Sequence, residues 1–155
     1  MPSADTGRLL EEQPAPMRNE RVWPGEGCSR VPNWVYTDPE IFARENERIF
    51  GANDWLYVCL EAEIPKPGDF QRSQLGTREV VAVRGRDGEI NVLLNSCAHR
   101  GMQFCVSDHG SAKEFICPYH QWAYDLAGNL LGVPFRRGYR GQGGMEADFR
   151  PEAHG

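Results

Sequence analysis

Cys97-Ala98-His99-Arg100-Gly101 and, further along, Cys117-Pro118-Tyr119-His120-Gln121-Trp122 are the words that decide the fold. Together they read C-x-H, a spacer of seventeen residues from Arg100 to Ile116, then C-x-x-H. Each arm offers one soft thiolate and one imidazole, a donor set that suits iron–sulfur clusters or zinc. Two Cys and two His can hold a [2Fe–2S] cluster in which two imidazoles replace two thiolates on one iron. Within an arm the two donors are close enough in sequence to reach one small object. Each arm can then give its Cys to one iron and its His to the other.

The spacer is long enough for two short strands and a turn, which would bring the arms face to face. Pro118 restricts the second loop by fixing its own φ, and Gly101 lets the first loop bend closely. The alternative is a Cys2His2 zinc site. Its usual order groups like ligands, C-x2-4-C and then H-x3-5-H. Here the ligands alternate Cys, His, Cys, His, and the zinc order does not fit.

At these residues the chain resembles the Rieske family. More narrowly it resembles the large (α) subunit of Rieske non-haem iron aromatic-ring-hydroxylating oxygenases. The matching words are CAHRG, CPYHQW, YTDPEIFARENERIF, EIPKPGDF and DLAGNLLGVPFRRGYRG, spread over about residues 31 to 155. The resemblance implies Cys97, His99, Cys117 and His120 as ligands of a Rieske [2Fe–2S] cluster. It also implies a ferredoxin or reductase as electron donor, other oxygenase subunits as partners, and a role in aromatic hydrocarbon catabolism. Mitochondrial-type Rieske proteins carry two further Cys that form a disulfide; Met102 and Tyr119 stand at those positions here. Oxygenases commonly have Gly where this chain has Gln121, and Gln there resembles a salicylate- or anthranilate-type subgroup.

Composition bounds the reading. A chain of 155 residues suffices for one domain with a real core but not comfortably for two. Hydrophobic residues make up 40%, near the globular norm. The net charge of −5 disfavours nucleic-acid binding, which needs basic patches. Beyond the motif, Cys28, Cys59 and Cys105 remain, an odd number that fits free thiols in a cytoplasmic protein. No apolar run of membrane-spanning length is present, and the N-terminal residues lack the basic and apolar regions expected of a signal peptide.

The flanking sequence predicts a mainly β fold: an antiparallel sandwich or small barrel with a cluster-binding subdomain and one N-terminal α-helix. Residues 1–30 read as a mobile tail and arm, with Trp23, Trp34 and Tyr36 as aromatic pins further along it. The arm either contacts a neighbouring subunit or packs on its own domain. Residues 31–133 read as the Rieske domain. Thr37 and Glu40 predict a capping box for a helix bearing Ile41, Phe42, Ile49 and Phe50 on one face and stopped by Gly51. Strands are expected at Trp55–Leu60, Phe70–Leu75, Glu79–Val83, Ile90–Leu94 and Glu114–Cys117. Asp87-Gly88 marks one hairpin and Ala127-Gly128-Asn129 a closing one. Residues 134–155, rich in Gly and Arg, read as the start of a linker, with Met145, Phe149 and His154 scattered along it.

Four His are present: His99, His109, His120 and His154. The oxygenase family's mononuclear Fe(II) needs two His and a carboxylate. His109 reads as loop and His154 as part of the Gly-rich tail, so this second iron is expected only in a catalytic domain absent from the chain. The leading reading is therefore the electron-transfer domain of an oxygenase α subunit, not catalytically complete alone. A free-standing Rieske ferredoxin is the alternative, and a non-redox fragment that affects assembly is a third. Arg100 suits a packing or backbone-anchoring role, or docking. Cys105 reads as a buried free thiol, and Tyr119 and Trp122 as shielding and core. With two thiolates the oxidised cluster is formally neutral, and Rieske potentials span roughly −150 to +300 mV. No hydroxyl donor to a cluster sulfur is assignable, which leans the expected potential to the low end.

Overall fold

The computed structural model describes residues 21–23, 25, 27 and 29–154. The chain divides into two compact units, Met1–Phe42 and Ala43–Gly155. The expected mobile tail over residues 1–20 lies outside the described residues.

In the first unit, the Trp23 ring edge meets Trp34 at 6.1 Å between centroids, and the Trp23 indole N–H donates to the Gly27 carbonyl at 2.8 Å. Arg21 bridges Asp38 and Glu40 at 2.7 and 2.5 Å. A short helix, α1, spans Trp34–Thr37, and α2 spans Pro39–Arg48. The capping expectation is off by one residue. Asp38 caps α2: its Oδ1 accepts the Glu40 N–H at 2.8 Å and its carbonyl accepts the Phe42 N–H at 3.1 Å. Thr37 ends α1 and donates its hydroxyl to the Asn33 carbonyl. The reason is Pro39, which forces the preceding residue out of the helical region; Asp38 sits at φ −80°, ψ 119°. The helix also stops earlier than Gly51, at Arg48.

In the second unit two antiparallel sheets form. The larger contains β1 (Asp69–Leu75), β2 (Arg78–Arg84), β3 (Ile90–Leu94) and β4 (His109–Ser111), in the order β3-β2-β1-β4. The smaller contains β5 (Phe115–Ile116), β6 (Ala123–Tyr124) and β7 (Leu130–Gly132), in the order β5-β6-β7. Central strand β2 buries four residues in a row, Val80 to Val83, the pattern of a strand covered on both faces. At the β1–β2 turn, Gly76 has φ +60°, and a Cβ there would lie 2.8 Å from the Phe50 Cβ, so only glycine fits. The Asp87-Gly88 signal is met: β2 and β3 pair from Val80↔Leu94 to Arg84↔Ile90 around a five-residue connection.

Two strand expectations fail in opposite directions. Trp55–Leu60 forms no strand, although its composition is right. The segment pairs with no strand of either sheet, and Trp55 and Tyr57 stay exposed. Conversely, His109 is not loop but the first residue of β4, paired with Gln71. That strand is three polar residues long and exposed, with no alternation to betray it. Gly110 packs closely under the Phe70 ring, where a Cβ would lie 3.1 Å from it.

One apolar core joins the sheets. Phe70, Val81 and Val83 from the larger sheet meet Phe115, Tyr124 and Leu130 from the smaller, with Cys97, Phe104, Cys117 and Trp122 between them. Val133, Met145 and Phe149 pack against this core, so part of the expected linker folds back onto the domain.

Candidate metal centre

Both motif arms are loops that leave the ends of strands: the first follows β3, the second joins β5 to β6. They share one hydrogen-bonded frame. In the first, the Gly101 N–H donates to the Cys97 carbonyl at 2.7 Å and the Cys97 N–H to the Met102 carbonyl at 2.8 Å. In the second, Gln121 donates to Cys117 at 2.9 Å and Cys117 to Trp122 at 2.9 Å. The frame needs a left-handed residue four positions after each Cys. Gly101 supplies φ +70°, and Gln121 adopts φ +57°. This explains why glycine is the natural occupant there, since a non-glycine residue bears roughly 1–2 kcal/mol of strain in that region.

The loops bring the two motif imidazoles together and bury the two motif thiols. Cys97 and Cys117 are buried free thiols. The His99 and His120 rings lie 4.5 Å apart between centroids, at 70°. Trp122 stacks on His99 at 4.9 Å and 9°, and Tyr119 covers His120 at 3.8 Å. His99 Nδ1 is buried without a hydrogen-bond partner. An orphaned ring nitrogen is costly unless something takes its lone pair or proton, and a metal does. Burial first, then His120 and Arg100, push the His99 pKa down, favouring the neutral imidazole that can ligate. Among the described residues no three His, Cys, Asp or Glu side chains gather around one point. The donor set, two buried thiols and two imidazoles with one ring nitrogen left without a partner, fits the cluster.

A further group, Tyr124, was not legible in the sequence. Its hydroxyl lies 3.2 Å from the Cys97 sulfur and accepts the Ala98 N–H at 3.0 Å. Burial, then Cys97, push the Tyr124 pKa up, so the phenol keeps its proton and can donate it to a thiolate. This places beside the Cys97 sulfur a hydroxyl that the motifs do not mark. Tyr124 and Cys97 are 27 positions apart, and only the packing of β6 under the first loop makes them neighbours.

Cys105 is a buried thiol within 3.5 Å of the Ser107 carbonyl, its pKa raised chiefly by burial. Arg100 is exposed and makes no hydrogen bond or ion pair among the described residues, so no anchoring role is seen. His154 does not hang free. It stacks on Phe149 at 4.9 Å and meets Trp122 edge-on at 6.3 Å. Arg136 lies over Phe149 and donates to its carbonyl at 3.1 Å, holding this layer closed. Cys28 lies outside the described residues.

Comparison with known proteins agrees with this geometry. The Rieske [2Fe-2S] domain matches residues 54–140. The chain is 60% identical over 137 residues to the large oxygenase component of salicylate 5-hydroxylase from Ralstonia sp., covering 86% of this chain and 32% of that protein. It is 49% identical over 133 residues to the anthranilate 1,2-dioxygenase large subunit of Burkholderia cepacia, covering 86% and 31%. Among solved structures, naphthalene 1,2-dioxygenase from Rhodococcus sp. bound to indole aligns with TM-score 0.65 and 39% identity, over 77% of this chain and 27% of that one. The chain belongs to the Rieske [2Fe–2S] domain family. It spans about a third of the length of the curated relatives it matches, corresponding to the N-terminal part of large oxygenase subunits. No helix among the described residues is long and apolar enough to cross a membrane.

Proposed function

We propose that Cys97, His99, Cys117 and His120 hold the [2Fe–2S] cluster and that the chain is the electron-transfer domain of an aromatic-ring-hydroxylating oxygenase large subunit. The observation that supports this is the pair of loops with one hydrogen-bond frame, each carrying a buried thiol, with the His99 and His120 rings 4.5 Å apart. The cluster supplies one-electron transfer. The chain's residues hold and tune it. Cys97 and Cys117 bind as thiolates in the core, where Phe104, Phe115 and Trp122 keep water away. Tyr124, whose hydroxyl lies against the Cys97 sulfur, would donate to the thiolate and so favour the reduced state. His120 sits half-exposed at the loop tips, under Tyr119, and offers the ring edge nearest a partner.

The donor in this reading is a ferredoxin or reductase, and the acceptor is the mononuclear iron of an oxygenase catalytic domain. The free thiols Cys59, Cys97, Cys105 and Cys117 suit a cytoplasmic setting. Gln121 and the similarity to salicylate and anthranilate oxygenases support an aromatic carboxylate as the substrate class of the longer enzyme.

The test is metal content with ligand substitution. Anaerobically purified protein should contain two iron and two acid-labile sulfide per chain, with a reduced-state EPR signal typical of mixed Cys/His ligation. Cys97→Ser or Cys117→Ser should abolish the cluster, and Cys105→Ser should keep it. One zinc without sulfide, or iron lost only in Cys105→Ser, would overturn the assignment.

A further inference from the structure

The two loops are closed at their bases by different means. The second is closed by backbone: Phe115 pairs with Tyr124 and Ile116 with Ala123, directly beneath Cys117 and Trp122. The first has no such ladder among the described residues. The chain leaves β3 at Leu94 and returns through Phe104 and Cys105 without pairing as a strand.

A single side chain closes it instead. Asn95 is 2% exposed, the one polar residue among the fully buried side chains described. Its Nδ2 donates to the Cys105 carbonyl at 2.7 Å, and its Oδ1 accepts the Cys105 N–H at 2.9 Å. A carboxamide carries one donor and one acceptor side by side, the same pair a strand residue presents to its neighbour. Meanwhile the Asn95 backbone N–H donates to the Glu79 carbonyl at 2.9 Å, prolonging the β2–β3 ladder. Asn95 thus belongs to the sheet through its backbone and to the returning arm through its side chain.

We infer that Asn95 is the positioning residue of the first cluster arm, doing for Cys97 and His99 what the β5–β6 ladder does for Cys117 and His120. This rests on the reading that Cys97 and His99 are ligands. Without the carboxamide, the Cys105 N–H and C=O are left buried and unpaired, and the base of the loop opens to rehydrate them. Cys97 and His99, two and four residues along, lose their fixed origin, while the second arm keeps its ladder. Asn95→Asp is the sharper probe. It retains the acceptor for the Cys105 N–H but turns a carboxylate oxygen, buried, toward the Cys105 carbonyl.

The experiment compares holoprotein of the wild type, Asn95→Ala, Asn95→Asp and Val81→Ala. Val81 is fully buried in the same core but on central strand β2, so its truncation reports general destabilisation. Iron release to a chelator is measured under conditions that match the folded fraction. Both Asn95 variants should release iron roughly tenfold faster than Val81→Ala, the size expected from losing one or two buried hydrogen bonds. Their EPR signal and midpoint potential should also move, while Val81→Ala keeps the wild-type signal. In the wild type, the Cys105 amide should be among the protected loop amides in hydrogen exchange. Equal release rates with an unchanged EPR signal would overturn the inference, and so would an unprotected Cys105 amide. Should neither Asn95 variant fold, the wild-type exchange measurement decides alone. A wild type lacking iron and sulfide overturns the cluster reading instead, and the Cys105 amide still tests how the loop is closed.

Discussion

At the scale of single residues, the second coordination layer of this site is set by groups that sequence motifs do not mark. Tyr124 is the clearest. A hydroxyl donating to a thiolate stabilises the state with more negative charge on the sulfur, here the reduced one. Tyr124→Phe removes the donor and keeps the ring against Phe104, 5.5 Å away. The expected outcome is an intact cluster with a midpoint potential lower by about 50 mV, since a fraction of one charge-assisted hydrogen bond acts on a one-electron couple. Protein-film voltammetry checks it; an unchanged potential would show that the phenol does not donate to Cys97. Gln121 illustrates the converse. Its place in the motif and its departure from Gly are legible in the sequence, but its backbone strain lies in the left-handed φ of the folded loop.

At the scale of elements, the short hairpin β6–β7 carries the second arm back into the sheet, and Asp125 organises its turn. Asp125 Oδ1 accepts the Ala127 and Asn129 N–H groups, both at 2.9 Å, and Oδ2 accepts the Asn129 side-chain amide at 2.9 Å. Burial works to raise the Asp125 pKa, but the donors from Asn129, Ala127 and Gly128 outweigh it and hold the carboxyl below its usual value. A depressed carboxyl stabilises the fold above its unfolded pKa, near 3.8, and loses that contribution as pH falls through the lower folded value. Asp125→Ala should therefore destabilise the protein by about 1–2 kcal/mol at pH 7 in urea unfolding. The gap to the wild type should narrow below pH 4, the side on which the wild-type carboxyl takes up its proton. A gap that stays constant or widens toward acid would contradict this account. The elements that reading by composition found were those with a period or a turn signal, such as the β2–β3 hairpin at Asp87-Gly88. β4 escaped because three polar residues carry no period, and Trp55–Leu60 misled because propensity does not decide whether a segment pairs with another strand.

At the scale of the whole molecule, the chain concentrates its chemistry at the loop ends of two small sheets and closes one side with the 134–154 segment. Phe149 and His154 pack against Trp122, which itself stacks on His99. Among the described residues, neither His109, exposed on β4, nor His154, in this aromatic layer, converges with a second His and a carboxylate. The expected behaviour of the cluster-loaded 155-residue chain follows. Supplied with a reductase and an electron source, it should be reduced, yet form no hydroxylated aromatic product. Product analysis beside stopped-flow reduction checks this. Hydroxylated product with stoichiometric electron use would show that the chain assembles a second iron site of its own.

What the sequence determined by itself was local and chemical. Cys97, His99, Cys117 and His120 stand out as candidates because residue type and short spacing are properties of a few consecutive residues. The mainly antiparallel β class followed from turn signals and alternation over short windows. The tertiary structure alone decided what sits beside what across long separations: Tyr124 under Cys97, Asn95 across the base of the first loop, and Phe149 and His154 over Trp122. The physical reason is that a side-chain hydrogen bond or ring stack between distant residues leaves no periodic trace. It exists only once packing has placed donor and acceptor within about 3 Å of each other.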